Sequence, residues 1–218
     1  DPDHLDIYGT AEAVDQAFIE FSGKVKPGGL LVHKYELGKA GKLKGEARLT
    51  YSIKDAKAST LVSSLQVKDG YYVFDVQMGK ASIKDVELHM GGIHNVENVA
   101  AAITVAHHLG IKEQFIKEAV ASFRGVKRRF EYVIPPLQRI DGWIMVDDYA
   151  HHPEELRALM ESIRGLFPDR KCTLVFQPHL YTRTRDFADQ FAEVLDSADR
   201  VILLPIYPAR ELPIDGVN

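Results

Sequence analysis

Between residues 143 and 204, short apolar runs alternate with amphipathic stretches, and that rhythm restricts the fold more than any other feature of the sequence. The runs 143–147, 172–176 and 201–204 read as strands, and 153–166 and 184–195 carry apolar residues at helical spacing. Strand-helix-strand-helix-strand predicts a parallel sheet with right-handed crossovers, so the chain is expected to be α/β in this half. Open parallel sheets bind ligands at the carboxyl ends of their strands, in the loops that lead into the helices. That rule selects Asp147-Asp148-Tyr149-Ala150-His151-His152, Gln177-Pro178-His179-Leu180-Tyr181-Thr182-Arg183, and Pro205-Ile206-Tyr207-Pro208-Ala209-Arg210-Glu211. All three are rich in acids, imidazoles, guanidinium groups and tyrosines, and all are expected on one edge of the sheet.

Within the first loop, Pro153 suits the first helical position, with Glu154 and Glu155 favourable in the first turn. His151 and His152 then sit at a helix N-terminus, where free N–H groups favour an anion. One of the two is expected to cap the helix and the other to do chemistry. Asp148, at a strand end, is placed to bind a ribose hydroxyl or a metal. Arg183, beside His179, is placed for a charge-assisted pair with a carboxylate, whereas Arg185 reads as solvated.

Upstream the pattern differs. Thr10 can cap a helix carrying Val14, Phe18 and Phe21, which ends near Gly23. A short buried strand is expected at 30–33, and 38–48, with three Gly and four Lys or Arg, reads as a solvated loop. Strands at 60–67 and 71–78 are joined by Lys68-Asp69-Gly70, a hairpin signal, and another strand follows at 82–88. An Ala-rich helix ends at Gly110, a second helix spans about 112–123, and the domain boundary falls near 125–128. His94-Asn95-Val96-Glu97-Asn98 opens the Ala-rich helix. Asn95 and Asn98 share a face, and capping would explain only one of them. Lys127-Arg128-Arg129-Phe130 lies at the boundary, where an arginine can reach a phosphate or simply be a charged linker.

Composition excludes several classes. Lys and Arg number 27 against 31 Asp and Glu, a net charge of −4 that offers no basic footprint for nucleic acid or an anionic membrane. Every long apolar stretch is broken by charge or glycine, short of the roughly 18 residues a membrane span needs. One cysteine, Cys172, excludes an internal disulfide, suggests a reducing, cytoplasmic setting, and reads as a core residue. Asp3-His4-Leu5-Asp6 reads either as a helix-entry turn or as ligands of a divalent metal. Neither chain end resembles a natural terminus, so a piece of a longer protein is expected.

Five motifs, in order, resemble the Mur ligases, the ATP-dependent amino-acid ligases of bacterial peptidoglycan synthesis. They are Pro2-Asp3-His4-Leu5-Asp6, His94-Asn95-Val96-Glu97-Asn98, Arg128-Arg129-Phe130, Asp147-Asp148-Tyr149-Ala150-His151-His152-Pro153, and Phe176-Gln177-Pro178-His179 with Thr182-Arg183-Thr184-Arg185. The doubled His before Pro and the Phe-Gln-Pro-His run are similar to members that couple L-alanine to UDP-N-acetylmuramate. The resemblance implies that 1–126 is the later part of a central ATPase domain of mixed sheet and helices. It implies that 127–218 is the earlier part of a Rossmann-like βαβαβ C-terminal domain. A UDP-binding domain and a Gly-x-x-x-x-Gly-Lys-Ser/Thr loop, which this sequence lacks, would lie upstream, so the 218 residues alone are expected to be inactive.

The same resemblance implies ATP and Mg²⁺ as cofactors. His4 would bind Mg²⁺, His94 and Asn95 would hold adenine with Asn98 in support, Arg128 would reach ATP, and Asp148 would bind its ribose. His151, His179 and Arg183 would face the muramoyl carboxylate and the incoming alanine. Leu180 stands where some relatives carry a second arginine, so no two-arginine clamp is implied. Three rivals remain open at this level. A recycling ligase would attach an intact tripeptide to UDP-N-acetylmuramate. A metal-dependent hydrolase would be built on Asp3, His4, Asp6, Asp147, Asp148, His151 and His152. The third is a non-catalytic nucleotide-binding module.

Overall fold

The computed structural model describes residues 5–136 and 142–217, with only the backbone described at 5 and 6. Two compact units emerge. The first is drawn from 1–66, 72–88 and 94–123, the second from 67–71, 89–93 and 124–218.

The first unit begins with α1 (Leu5–Tyr8) and α2 (Ala11–Ser22). Thr10 caps α2 as its sequence position predicts, its hydroxyl accepting the Ala13 N–H at 3.2 Å. Five strands follow: β1 (Leu30–Lys34), β2 (Ala47–Ser52), β3 (Thr60–Lys68), β4 (Tyr71–Met78) and β5 (Ala81–Leu88). They lie in chain order in one sheet, β1 parallel to β2, β2 parallel to β3, and β4 antiparallel to β5. The β3–β4 turn places Asp69 at φ +49° and Gly70 at φ +82°, the two left-handed residues that a tight hairpin needs to match strand twist. Alternation along β4 and β5 buries Tyr72, Phe74, Val76, Met78, Ile83, Val86 and Leu88.

Two helices complete this unit, α3 (Ile93–His108) and α4 (Glu113–Ser122). α3 buries Val96, Ala100, Ile103 and Thr104. The Thr104 hydroxyl gives its proton to the Ala100 carbonyl and lies 2.8 Å from the Thr60 hydroxyl on β3. Gly110, at φ +76°, donates to the His107 carbonyl while Ile111 donates to Ala106, closing α3 with the paired bonds of a glycine C-terminus. Several expectations depart from the structure: the expected loop at 38–48 holds a 3-10 helix at Ala40–Lys42 and the start of β2, and β1 is half-buried rather than buried. Phe18 and Phe21 are 66% and 70% exposed, and the buried residue of α2 is Ser22, whose hydroxyl bonds the Ile19 carbonyl and the Lys44 N–H.

The second unit carries β6 (Glu131–Ile134), β7 (Met145–Asp147), α5 (Pro153–Leu166), β8 (Thr173–Phe176), α6 (Tyr181–Asp186), α7 (Ala188–Leu195) and β9 (Arg200–Leu203). Its β-α-β-α-β order follows the sequence rhythm and β8 and β9 pair in parallel, but the single parallel sheet expected of the three strands is not formed among the described residues, where β7 lies in a separate ladder. β6 had no signal in the sequence; it pairs antiparallel with the three-residue β7. The single helix expected at 184–195 begins earlier and is two helices, because Phe187 leaves helical geometry at φ −119°. Leu156 and Met160 of α5, Phe176 of β8, and Phe191 and Val194 of α7 form the core. Cys172 packs against it, and burial pushes its thiol pKa up, as a core residue's would be.

Candidate active site

At the tip of β7, Asp148 accepts the Ala150 N–H at 2.8 Å through one carboxylate oxygen and the Phe130 N–H at 2.7 Å through the other. The Tyr149 N–H donates to the Arg128 carbonyl at 2.8 Å, and the Arg128 N–H donates to the Glu131 carboxylate at 2.9 Å. Thus the Arg128-Arg129-Phe130 turn is laced to the loop after β7. Arg128 and Phe130 sit at φ +58° and +49°, strained values for non-glycine residues that persist only when their surroundings hold them. The buried Phe130 ring supplies that hold, packing edge-on to Tyr132 and so close to Gly91 that any Cβ there would overlap it. A carboxylate has about four lone-pair positions. Asp148 has committed two, which leaves acceptor capacity for a ribose hydroxyl.

The doubled histidine divides its roles. His152 is the N-cap of α5, its Nδ1 accepting the Glu154 N–H while Glu155 reaches back to the His152 N–H, a capping box with Pro153 at the first turn. Its ring also lies against Phe187. His151 turns the other way. Its ring centroid lies 5.9 Å from that of His179, edge to face, and 5.0 Å from Tyr149. Its Nδ1 is 2.8 Å from the Tyr149 carbonyl and 3.3 Å from a Glu155 oxygen.

His179 leaves the tip of β8 stacked on Tyr207 from the segment after β9, with Nδ1 3.3 Å from Arg183 Nη1. Backbone bonds join the same two loops: Leu180 N–H to the Tyr207 carbonyl at 2.9 Å and Tyr207 N–H to Pro178 at 2.8 Å. Glu211 clamps the start of α6 by accepting both the N–H and the hydroxyl of Thr182. Those bonds hold the Glu211 carboxyl below its usual range. The imidazole of His179 is held below its ordinary pKa, chiefly by desolvation, then by the positive charge of Arg183 and by His151, with Glu211 opposing. Three loops read from the sequence therefore bring His151, His179 and Arg183 together. Arg185 pairs with the neighbouring Asp186 in solvent, as expected of a solvated residue.

In the first unit, His94 and Asn98 are exposed and Asn95 is half-buried at the opening of α3. Neither Asn is the cap, since the helix already begins at Ile93; Asn98 Nδ2 donates to Asn95 Oδ1 at 3.5 Å. Glu97 accepts from Lys34 at 2.6 Å, tying this turn to the end of β1 and raising the lysine pKa.

His4 and Asp3 lie outside the described residues, as does the Asp6 side chain. Among the described residues no three His, Cys, Asp or Glu side chains converge in a way that could hold a metal ion. Asp148 and His152, both in the hydrolase reading, are engaged by backbone N–H groups. Sequence reasoning gave Glu155 only a dipole role, although its position three residues after His152 is a capping-box signal. Glu211 had no local signal, because its partner Thr182 is remote in sequence.

Residues 1–106 match the Mur ligase middle domain, and residues 128–215 match the Mur ligase glutamate ligase domain. The UDP-N-acetylmuramate–L-alanine ligase of Flavobacterium johnsoniae is 44% identical over 218 residues, covering 100% of this chain and 46% of that protein. The ligase of the same name from Parabacteroides distasonis is 43% identical over 219 residues, with the same coverage. The chain thus spans about half the length of the curated relatives it matches. Among solved structures, UDP-N-acetylmuramate–alanine ligase MurC from Thermotoga maritima superposes with TM-score 0.73 at 28% identity, over 94% of this chain and 44% of that one. Folylpolyglutamate synthase from the same organism shares the fold, with TM-score 0.74 at 21% identity over 95% of this chain and 48% of that one. No helix among the described residues is long and apolar enough to cross a membrane.

Proposed function

Since the chain belongs to the Mur ligase family, carrying its middle and glutamate ligase domains, we propose that the whole protein joins L-alanine to UDP-N-acetylmuramate with conversion of ATP to ADP and phosphate. The gathering of His151, His179 and Arg183 at the strand tips carries this reading. It supplies a guanidinium for a carboxylate and two imidazoles that can bond or exchange protons with a substrate, in a chain 40–44% identical to enzymes of that name.

In this reading residues 1–126 are the later part of the ATP-binding central domain and 127–218 the earlier part of the C-terminal domain, in a cytoplasmic enzyme. The substrate carboxylate takes the γ-phosphoryl group of ATP, giving an acyl phosphate and ADP. The alanine amine then displaces phosphate from the activated carbonyl. Transfer between two anions asks the protein for positioning and charge neutralisation more than covalent help. Arg183 neutralises and orients a carboxylate. Arg128 offers its guanidinium to phosphate oxygens, and Asp148 accepts from a ribose hydroxyl. His94 and Asn95 engage the adenine edge, with Asn98 fixing the Asn95 amide. His4 is the proposed ligand of Mg²⁺, which when bound offsets the charge of the reacting phosphate.

The test is ADP release by the full-length protein. Release should require both UDP-N-acetylmuramate and L-alanine, and Arg183→Ala should lower kcat/KM about 10²-fold, as loss of a charge-assisted pair does. Release with an intact tripeptide but not with L-alanine would assign the recycling reaction instead. No ADP release with either acceptor, in a protein that still binds ATP, would leave only nucleotide binding.

A further inference from the structure

The partners of the two facing imidazoles fix which nitrogen of each ring carries hydrogen. His151 Nδ1 lies 2.8 Å from the Tyr149 carbonyl, which has no proton to give, and 3.3 Å from a Glu155 oxygen. Nδ1 must therefore donate, and the lone pair of neutral His151 sits on Nε2. His179 Nδ1 lies 3.3 Å from Arg183 Nη1, and a guanidinium has only donors. Nδ1 of His179 must therefore accept, and Nε2 carries the hydrogen. Two rings whose centroids are 5.9 Å apart thus have opposite polarity.

The surrounding charges reinforce the difference. His151 faces the Glu155 carboxylate from α5, Tyr149 from its own loop, and His179. His179 faces Arg183 from α6, Tyr207 and Glu211 from the segment after β9, and His151 itself. Desolvation, then Arg183 and His151, lower its pKa, with Glu211 opposing.

We propose that the pair divides the aminolysis step, resting on the ligase reading above: His151 Nε2 is the base that takes a proton from the ammonium group of the incoming α-amino acid, and His179 is the neutral donor whose Nε2–H supports the carbonyl oxygen of the acyl phosphate as it gains charge. The C–N bond forms and the bond from the carbonyl carbon to the bridging phosphate oxygen breaks, with the electron pair leaving on phosphate. One nitrogen proton goes to His151 and then to solvent. The second, released after attack, leaves on the departing hydrogen phosphate. His179 lends its hydrogen bond and keeps its hydrogen.

The experiment uses the full-length protein and two nucleophiles. Hydroxylamine is already unprotonated near neutral pH and needs no base, whereas L-alanine does. His151→Ala should lose about 10²–10⁴-fold in alanine ligation, the range of general-base catalysis, while still forming hydroxamate from ATP and UDP-N-acetylmuramate. Equal alanine ligation by variant and wild type overturns the proposal, and so does loss of both products together. Nitrogen-15 NMR of the wild-type protein should find hydrogen on Nδ1 of His151 and on Nε2 of His179. The reversed assignment overturns the pair's roles with the ligase reading intact. A wild-type protein that forms no hydroxamate fails at the ligase reading itself.

Discussion

Asp148 illustrates how much a single side chain decides at this site. Its two oxygens hold the N–H groups of Phe130 and Ala150, so it builds the turn that carries Arg128 as well as offering an acceptor of its own. Asp148→Ala would strand a half-buried N–H and remove two charge-assisted bonds. A loss of about 2–3 kcal/mol is expected, read as a lower denaturant midpoint at unchanged slope. The strand-end position of Asp148 was legible in the sequence; its service to Phe130, far along the chain, was not. His179 makes a second prediction. Its native pKa lies below the unfolded value near 6.5, so the unfolded chain binds protons more readily. Stability contributed by His179 is complete above that value and lost as pH falls through the native pKa. Glu211, also depressed, contributes in the same direction at lower pH. Denaturation midpoints should therefore fall below about pH 6.5, and His179→Gln should flatten that first decline.

At the level of elements, turns and caps were the most readable parts because their chemistry is local. Asp69-Gly70, the Thr10 cap, Gly110 and Pro153 all do what their side chains or backbone freedom require. Gly70 nevertheless does more than its turn demands. A Cβ there would lie 2.6 Å from Pro136 Cγ and 2.7 Å from the Phe167 ring, whereas one at Gly110 would meet nothing within 4 Å. Gly110→Ala should cost only the left-handed penalty of about 1–2 kcal/mol. Gly70→Ala should cost about 2–4 kcal/mol, since overpacking adds to it. Equal thermal shifts for the two would contradict this. The break at Phe187 between α6 and α7 has no signal in the sequence, for the opposite reason. Phe187 is an acceptable helix residue, and its place against the His152 ring and the core, a tertiary circumstance, accompanies its non-helical φ.

Across the whole chain, burial rather than hydrophobicity sorts the aromatic residues. Phe74 is 1% exposed, Phe18 66% and Phe21 70%. Phe74→Ala should cost about 3–5 kcal/mol, whereas Phe18→Ser and Phe21→Ser should leave the melting temperature of the 218-residue chain unchanged and raise its solubility. A large loss of stability from the α2 substitutions would show that those rings are packed. The sequence by itself determined the strand-helix rhythm of the second unit, the hairpin, the Thr10 cap, the three polar strand-tip loops and the family, because periodicity, turn chemistry and motif spacing are properties of neighbouring residues. Tertiary structure alone decided which histidine caps and which faces His179. It also decided that Glu211 braces the site, and that β7 takes an antiparallel partner. Those outcomes depend on distances between segments remote in sequence, which no local pattern encodes.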